Sequence, residues 1–180
     1  MSLQSFEQIC WVVNNLEESI MKWVSLGAGP FYVREVHLLP EREYRGKQAK
    51  DHAVMCQGFF GNTQIELTQP INNEPSLFRE VFDRWGESLH HIQPRCRPLD
   101  AAGFDADCRR YEELGLEQCM SLKLPDSSRV VFYDAYATHG FFIELVERPM
   151  KTFNENVLMY QEHLTWDGKD PIRPFEKRPQ

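Results

Sequence analysis

The chain has 180 residues, of which 42% are hydrophobic and 26% are charged. This size and composition predict a globular protein with a core of ordinary size. The net charge of −7 argues against a dedicated nucleic-acid surface, which would require clustered lysine and arginine. The longest wholly apolar run, about five residues at 9–13, is far too short to cross a membrane.

The cysteines and the N-terminus both favour a cytoplasmic protein. The five cysteines are odd in number and include no CxxC pair, which is typical of reduced thiols that pack as small apolar side chains. The first residues lack the basic region and the apolar stretch of a signal peptide.

The first part of the chain predicts one strand, one helix and three further strands. Residues 6–13 are rich in β-branched and aromatic types, which indicates a strand. Asn15 can cap a helix that ends before Gly27. Further strands are predicted at 31–39, 52–60 and 63–69. The charged loop at 40–50 is expected to bury little.

The second part repeats this order of elements. A strand is predicted at 89–96, a helix at 100–114, and strands at 116–124, 129–136 and 141–146. We therefore predict an α+β fold in which two βαβββ modules, 5–70 and 88–148, form a curved mixed sheet around a cleft. Residues 71–87 hold a short helix and connect the modules.

The predicted C-terminal helical tail comprises residues 149–180. A helix is expected at 153–164, and the polar residues at 175–180 are expected to fray. The tail has enough apolar side chains to cover an edge of the cleft or a partner subunit.

Four polar side chains are predicted to converge in the cleft. The closing strands of the two modules contain the same tripeptide, Ile-Glu-Leu, centred on Glu66 and Glu144. Because side chains alternate along a strand, both glutamates face away from the apolar side that the helices cover. Gln8 and His91 occupy matching places in the two opening strands, so we expect them on the same face.

His90 and His91 are neighbours in the opening strand of the second module. Regular alternation predicts that they point to opposite faces, so that only His91 enters the cleft. We therefore assign His90 a structural role on the helix side or at an interface.

The predicted cluster has the composition of a divalent metal site. One imidazole, two carboxylates and one amide oxygen can hold a cation and leave positions for water or substrate. Three oxygen donors to one nitrogen favour a harder ion, so Mn, Mg and Co are candidates beside Zn and Ni. Alternatively, the glutamates belong to an ordinary solvated sheet face.

The chain resembles the vicinal oxygen chelate superfamily, which includes glyoxalases, methylmalonyl-CoA epimerases, extradiol dioxygenases and antibiotic-resistance proteins. The resemblance covers about residues 5–147 and is nearest to the epimerase-like branch. It is carried by the segments NLEESI at 15–20, LGAGPF at 26–31, GNTQIEL at 61–67, LHHI at 89–92 and IEL at 143–145.

The resemblance implies metal ligands at Gln8, Glu66, His91 and Glu144, with Glu66 or Glu144 as the catalytic base. It implies a metal-dependent isomerase or lyase that acts through an enolate-like intermediate on a small carbonyl compound or an acyl thioester, CoA thioesters included. Gln8 stands where the family usually has histidine, which disfavours an iron dioxygenase. A homodimer is also expected. The alternative is a metal-free small-molecule binding protein on the same fold.

Two features bear on the substrate. Epimerases carry a further acidic base about sixteen residues before the position of Glu66, where this chain has Lys50 followed by Asp51 and His52. This departure argues against methylmalonyl-CoA epimerase activity. Several basic residues near the first long loop could bind an anionic tail such as a CoA phosphate, or could simply be solvated: Arg34, Arg42, Arg45, Lys47 and Lys50.

Overall fold

The computed structural model describes residues 5–36 and 41–179. The strands are β1 (Phe6–Val12), β2 (Phe31–Val36), β3 (Arg42–Tyr44), β4 (Lys47–Gln48), β5 (Ala53–Phe60), β6 (Thr63–Pro70), β7 (Ser88–Cys96), β8 (Glu117–Lys123), β9 (Arg129–Asp134), β10 (Phe142–Val146) and β11 (Ile172–Pro174). The helices are α1 (Leu16–Ser25), α2 (Leu77–Trp85), α3 (Ala101–Glu113), α4 (Tyr136–His139) and α5 (Met150–Thr165), followed by a 3-10 turn at Phe175–Lys177. None of the helices in these ranges is both long and apolar enough to cross a membrane.

The described strands form one mixed sheet in the order β11-β2-β5-β6-β1-β7-β10-β9-β8-β3-β4. The two opening strands, β1 and β7, lie antiparallel at its centre, with Gln8 opposite Gln93. Each closing strand is parallel to its own opening strand, β6 to β1 and β10 to β7. The predicted α+β architecture with a C-terminal helix is therefore confirmed.

Helices α1 and α3 cover the convex face of the sheet. Ile20 of α1 packs with Ile65 and Leu67 of β6, and α3 packs in the same way on β10. The apolar members of both Ile-Glu-Leu tripeptides therefore face these helices, and the glutamate between them faces the other side.

Helices α2 and α5 cover the two ends of the concave face. At one end α2 places Leu77 and Phe78 in a core with Val12 of β1. At the other end Phe153 and Met159 of α5 pack in a second core. The two apolar ends leave a polar region between them, and this region holds the candidate site.

The loop predicted at 40–50 contains a hairpin in its described part. Strands β3 and β4 pair with each other, and β3 extends the sheet beside β8. The expectation that this segment buries little is wrong, because Arg42 is only 3% exposed. Its Nη2 lies 2.6 Å from Asp51 Oδ2, and this opposite charge accompanies the guanidinium into the interior. The predicted strand end at 37–39, and residue 40, lie outside the described residues.

The end of the chain is ordered over its described part, so the prediction of fraying is wrong there. Strand β11 pairs in parallel with β2. Phe175 packs on the core that contains Phe153. Arg178 Nη2 lies 2.7 Å from Glu155 Oε2 of α5. These contacts bring the last residues onto the edge of the concave face.

Candidate metal centre

The four predicted side chains meet in the polar region of the concave face. Gln8, Glu66 and Glu144 line a cavity of about 300 Å³. His91 is fully buried beside them, and its Nε2 lies 3.5 Å from Glu144 Oε2 and 3.9 Å from Glu66 Oε1. The sheet order explains the convergence, since the opening and closing strands of both halves are neighbours at its centre.

Amide side chains hold the first-module part of the site. Glu66 Oε2 accepts hydrogen bonds from Gln57 Nε2 at 2.9 Å and from Gln8 Nε2 at 3.3 Å. Gln8 Nε2 also donates to Gln64 Oε1 at 2.9 Å. Burial raises the pKa of Glu66, with a further rise from Glu144, while His91 lowers it. A positive charge beside this carboxyl would therefore stabilise its ionised form.

The adjacent histidines lie at a β-bulge. Cys10 pairs with His91, but the next residue, Trp11, pairs with Leu89, so β7 has one extra residue there. A bulge of this kind interrupts the alternation of side chains. His90 therefore packs on the concave side, 4.4 Å from the Phe78 ring between centroids. The prediction that the two histidines face opposite sides is wrong for this reason.

His90 contacts His91 through a hydrogen bond between ring nitrogens. The two Nδ1 atoms are 2.8 Å apart, so one must donate and the other accept. Burial holds the pKa of His90 well below its usual range, and the charge of His91 adds to this. A neutral His90 can accept at Nδ1, which would place the His91 proton on its own Nδ1 and free Nε2 as a ligand atom.

The donor set fits a divalent cation. Among the buried side-chain atoms that lack a hydrogen-bond partner in the described chain, two lie at this site: Gln8 Oε1 and His91 Nε2, which is an acceptor when the ring is neutral. They come with two carboxylates, Glu66 and Glu144, one on each side of the imidazole. Unpartnered buried acceptors next to two negative charges are what a cation would satisfy.

A second group of donor atoms lies deeper in the same face. Cys10, His90 and His91 place one ligand atom each within 4.8 Å of one another. Burial, and then Glu66, raise the pKa of the Cys10 thiol well above its usual range, whereas metals bind the thiolate. This group is therefore the weaker candidate. Sequence reasoning missed it because the bulge that turns His90 toward Cys10 has no local sequence signal.

The cavity wall contains charged residues, of which the sequence analysis named only some as candidates for ligand binding. Of the five basic residues near the first long loop, Arg34 and Arg42 line the cavity. Arg45 instead pairs with Glu80 and Asp134. The tail also contributes to the wall, with Asn156 and Arg178 among others. It thus covers an edge of the cleft, as one of the two alternatives for the tail predicted.

Comparison with known proteins gave one family and a set of similar structures. Residues 7–132 match the sequence profile of the Glyoxalase/Bleomycin resistance protein/Dioxygenase superfamily. No curated protein sequence matched the chain. The fold is similar to that of methylmalonyl-CoA epimerase from Mycobacterium tuberculosis, with a TM-score of 0.52 and 22% identity over 84% of this chain and 94% of that one.

Two further epimerase structures are similar to the chain. A methylmalonyl-CoA epimerase in complex with methylmalonyl-CoA and NH4+ has a TM-score of 0.52 and 18% identity, over 84% of this chain and 98% of that one. A Streptomyces coelicolor methylmalonyl-CoA epimerase in complex with 2-nitronate-propionyl-CoA has a TM-score of 0.50 and 18% identity, over 81% of this chain and 97% of that one. At these identities the similarity shows the fold.

Proposed function

Because the chain belongs to the glyoxalase/bleomycin resistance protein/dioxygenase superfamily, we propose that it is a metal-dependent isomerase or lyase acting on a small carbonyl compound or an acyl thioester. The observation that carries this proposal is the convergence of Gln8, Glu66, His91 and Glu144 beside one cavity, with two buried acceptor atoms unpartnered. A bound Zn, Mn, Co, Ni or Mg ion would act as a Lewis acid that polarises the substrate oxygens and favours an enolate-like intermediate.

The contacts of the two glutamates support different roles for them. Glu66 is held by two amide donors, so we assign it to binding the metal. The Glu144 side chain is 14% exposed, and its polar contact in the described part of the chain is His91. A carboxylate that faces the cavity and is not held by amide donors, as Glu66 is, can move to take a proton. We therefore assign the base to Glu144.

The position of Asp51 argues against an epimerase mechanism. Asp51 stands next to the position where epimerases carry an additional base, but here it is buried in an ion pair with Arg42. Neither Lys50 nor Asp51 nor His52 lines the cavity. We therefore propose a reaction in which one carboxylate removes a proton and returns it, rather than epimerisation with a base on each face of the substrate.

Metal content and proton exchange test this proposal. Purified protein should bind about one divalent metal per chain and should exchange substrate protons in heavy water, across a screen of α-oxo acids and acyl-CoA compounds. His91→Ala should weaken metal binding about 100-fold, because it removes the ligand nitrogen. His139→Ala is the matched control, since His139 is exposed in a short helix outside the site.

A parent protein that neither contains nor regains a divalent metal would contradict the proposal. That result would leave the competing function, a metal-free small-molecule binding protein that uses the same cavity. The homodimer and the cytoplasmic location stay predictions. Light scattering on the purified chain and fractionation of cells that contain it would test them.

A further inference from the structure

Four arginines line the cavity, and two of them are already neutralised by carboxylates. Arg42 Nη2 lies 2.6 Å from Asp51 Oδ2. Arg178 Nη2 lies 2.7 Å from Glu155 Oε2. Their charges are therefore balanced inside the protein, although Nε and Nη1 of Arg42 lack a hydrogen-bond partner.

The other two, Arg34 and Arg148, have polar contacts but no ion pair in the described part of the chain. Arg34 Nε donates to Met55 Sδ at 3.3 Å, and its guanidinium lies 4.6 Å from the centre of the Phe175 ring. Arg148 is 8% exposed, and its Nη2 donates to Gln93 Oε1 at 2.9 Å. The Nε of Arg148 is buried without a partner. Both guanidinium groups therefore retain donors that a ligand in the cavity can use.

The cavity wall also contains acidic residues: Glu35, Glu66, Asp126, Glu144 and Glu147. Glu147 is paired with Arg129, whereas Glu66 and Glu144 are the carboxylates whose charges act on Arg34. A divalent cation beside Glu66 and Glu144 would offset their charge and so weaken the stabilisation that they give to Arg34, which favours the binding of an anion there. The pKa of Arg34 is lowered chiefly by burial, while Glu66 and Glu144 oppose that shift. Those carboxylates therefore supply part of its present stabilisation.

We propose that Arg34 and Arg148 bind a carboxylate of the substrate, so that the substrate is a small α-oxo or malonate-type acid rather than a neutral carbonyl compound. The inference rests on the proposed function. The guanidinium fork matches the two oxygens of a carboxylate. A cavity of about 300 Å³ has the size of a site for a small molecule, so a CoA group, if the substrate has one, lies outside it.

Calorimetric titration of the metal-loaded protein with malonate tests this inference. Arg34→Gln and Arg148→Gln should each weaken malonate binding about 10- to 100-fold, the usual effect of losing a hydrogen bond to a charged group. Arg178→Gln is the matched control, because Arg178 lines the same cavity but is already paired. It should change the affinity less than about threefold, because Glu155 already balances its charge. Malonamide, which lacks the charge, should bind at least about tenfold more weakly than malonate.

If neither Arg34→Gln nor Arg148→Gln changes the affinity for malonate, the inference is overturned. Tighter binding of inorganic phosphate than of malonate would also overturn it. Arg34→Lys and Arg148→Lys keep the charge and serve if the glutamine variants fail to fold. Each should retain malonate binding to within about tenfold, because lysine keeps the charge but loses the fork.

A double variant separates this inference from the proposed function. Glu66→Gln combined with Glu144→Gln removes two negative charges without any metal. It should bind malonate in metal-free buffer, and adding Arg34→Gln should abolish that binding. This result would support the arginine site even if the parent protein binds no metal. A parent protein that binds metal, but whose malonate affinity is unaffected by the arginines, would overturn only this inference.

Discussion

The two modules present a glutamate at the same place in their closing strands but surround it differently. Opposite Glu66 in the neighbouring strand stands Gln57, whose amide donates to the carboxylate at 2.9 Å. Opposite Glu144 stands Phe132, whose ring offers no donor. The same tripeptide therefore gives a fixed carboxylate in one half and a freer one in the other.

The opening strands differ in the same sense. In β1, Gln8 donates to Gln64 and Glu66, which joins three side chains into one network. In β7, the bulge opposite Cys10 and Trp11 of β1 brings His90 next to His91, and the two rings are joined by a hydrogen bond. The first module therefore orders its donors by direct amide contacts, whereas the second depends on an irregularity of the strand. The repeated fold fixes the position of each polar side chain, and the cross-strand neighbour decides how freely it moves.

The largest expected effect comes from removing the charge of the freer carboxylate. Glu144→Gln should lower the rate of substrate proton exchange about 10³-fold, within the usual range for loss of a general base, with a smaller change in metal affinity. Glu66→Gln should act chiefly on the metal and weaken its binding at least about tenfold. Isothermal titration with Mn and exchange rates in heavy water measure the two effects. Equal losses of both quantities in both variants would show that the modules are equivalent.

A second comparison between the halves concerns two ion pairs of the same length. Arg42–Asp51 in the first half and Arg129–Glu147 in the second both have an N–O distance of 2.6 Å. The side chains of the first pair are 2% and 4% exposed, and those of the second are 35% and 22% exposed. Distance is thus held constant while burial varies.

Asp51→Ala should lower the free energy of unfolding by about 3 to 5 kcal/mol, because it leaves a buried guanidinium without its counter-charge. Glu147→Ala should cost less than about 1 kcal/mol, since the pair is partly exposed and Arg129 keeps Asp105 at 2.8 Å. Urea denaturation measures both.

Proton exchange by folded Asp51→Ala should stay within about threefold of the parent, because the carboxylate lies outside the cavity wall. A larger loss would return Asp51 to consideration as a base.

Much of the architecture follows from local sequence pattern. Alternation of apolar and polar residues places Glu66 and Glu144 on the side away from helices α1 and α3, and the structure has them there. The repeated element order also predicts the mixed sheet, because each strand is bounded by a turn or a helix cap such as Asn15. These features depend on neighbours along the chain, which a sequence displays directly.

Features that depend on distant partners were not predicted. The hairpin of β3 and β4 pairs with β8, and β11 pairs with β2, across long sequence separations. Arg42 is buried in the wall of the cavity, where Asp51 supplies its counter-charge. The bulge is a property of the pairing between β1 and β7 rather than of β7 alone. The hairpin and the bulge each bring a polar side chain into the interior, Arg42 and His90 respectively.

The smallest expected effect tests whether that bulge matters for the site or only for packing. His90→Phe replaces the ring with one of similar size among Phe78, Phe132 and Phe142, so the free energy of unfolding should change by less than about 1.5 kcal/mol. It removes the partner of His91 Nδ1 and should therefore weaken metal binding about 10-fold or somewhat more. Titration with Mn measures the loss. His90→Gln, which keeps an acceptor, should recover part of the affinity. Unchanged metal affinity in His90→Phe would mean that His91 is oriented by its strand and its carboxylates alone, and the second module would then resemble the first more closely than the contacts indicate.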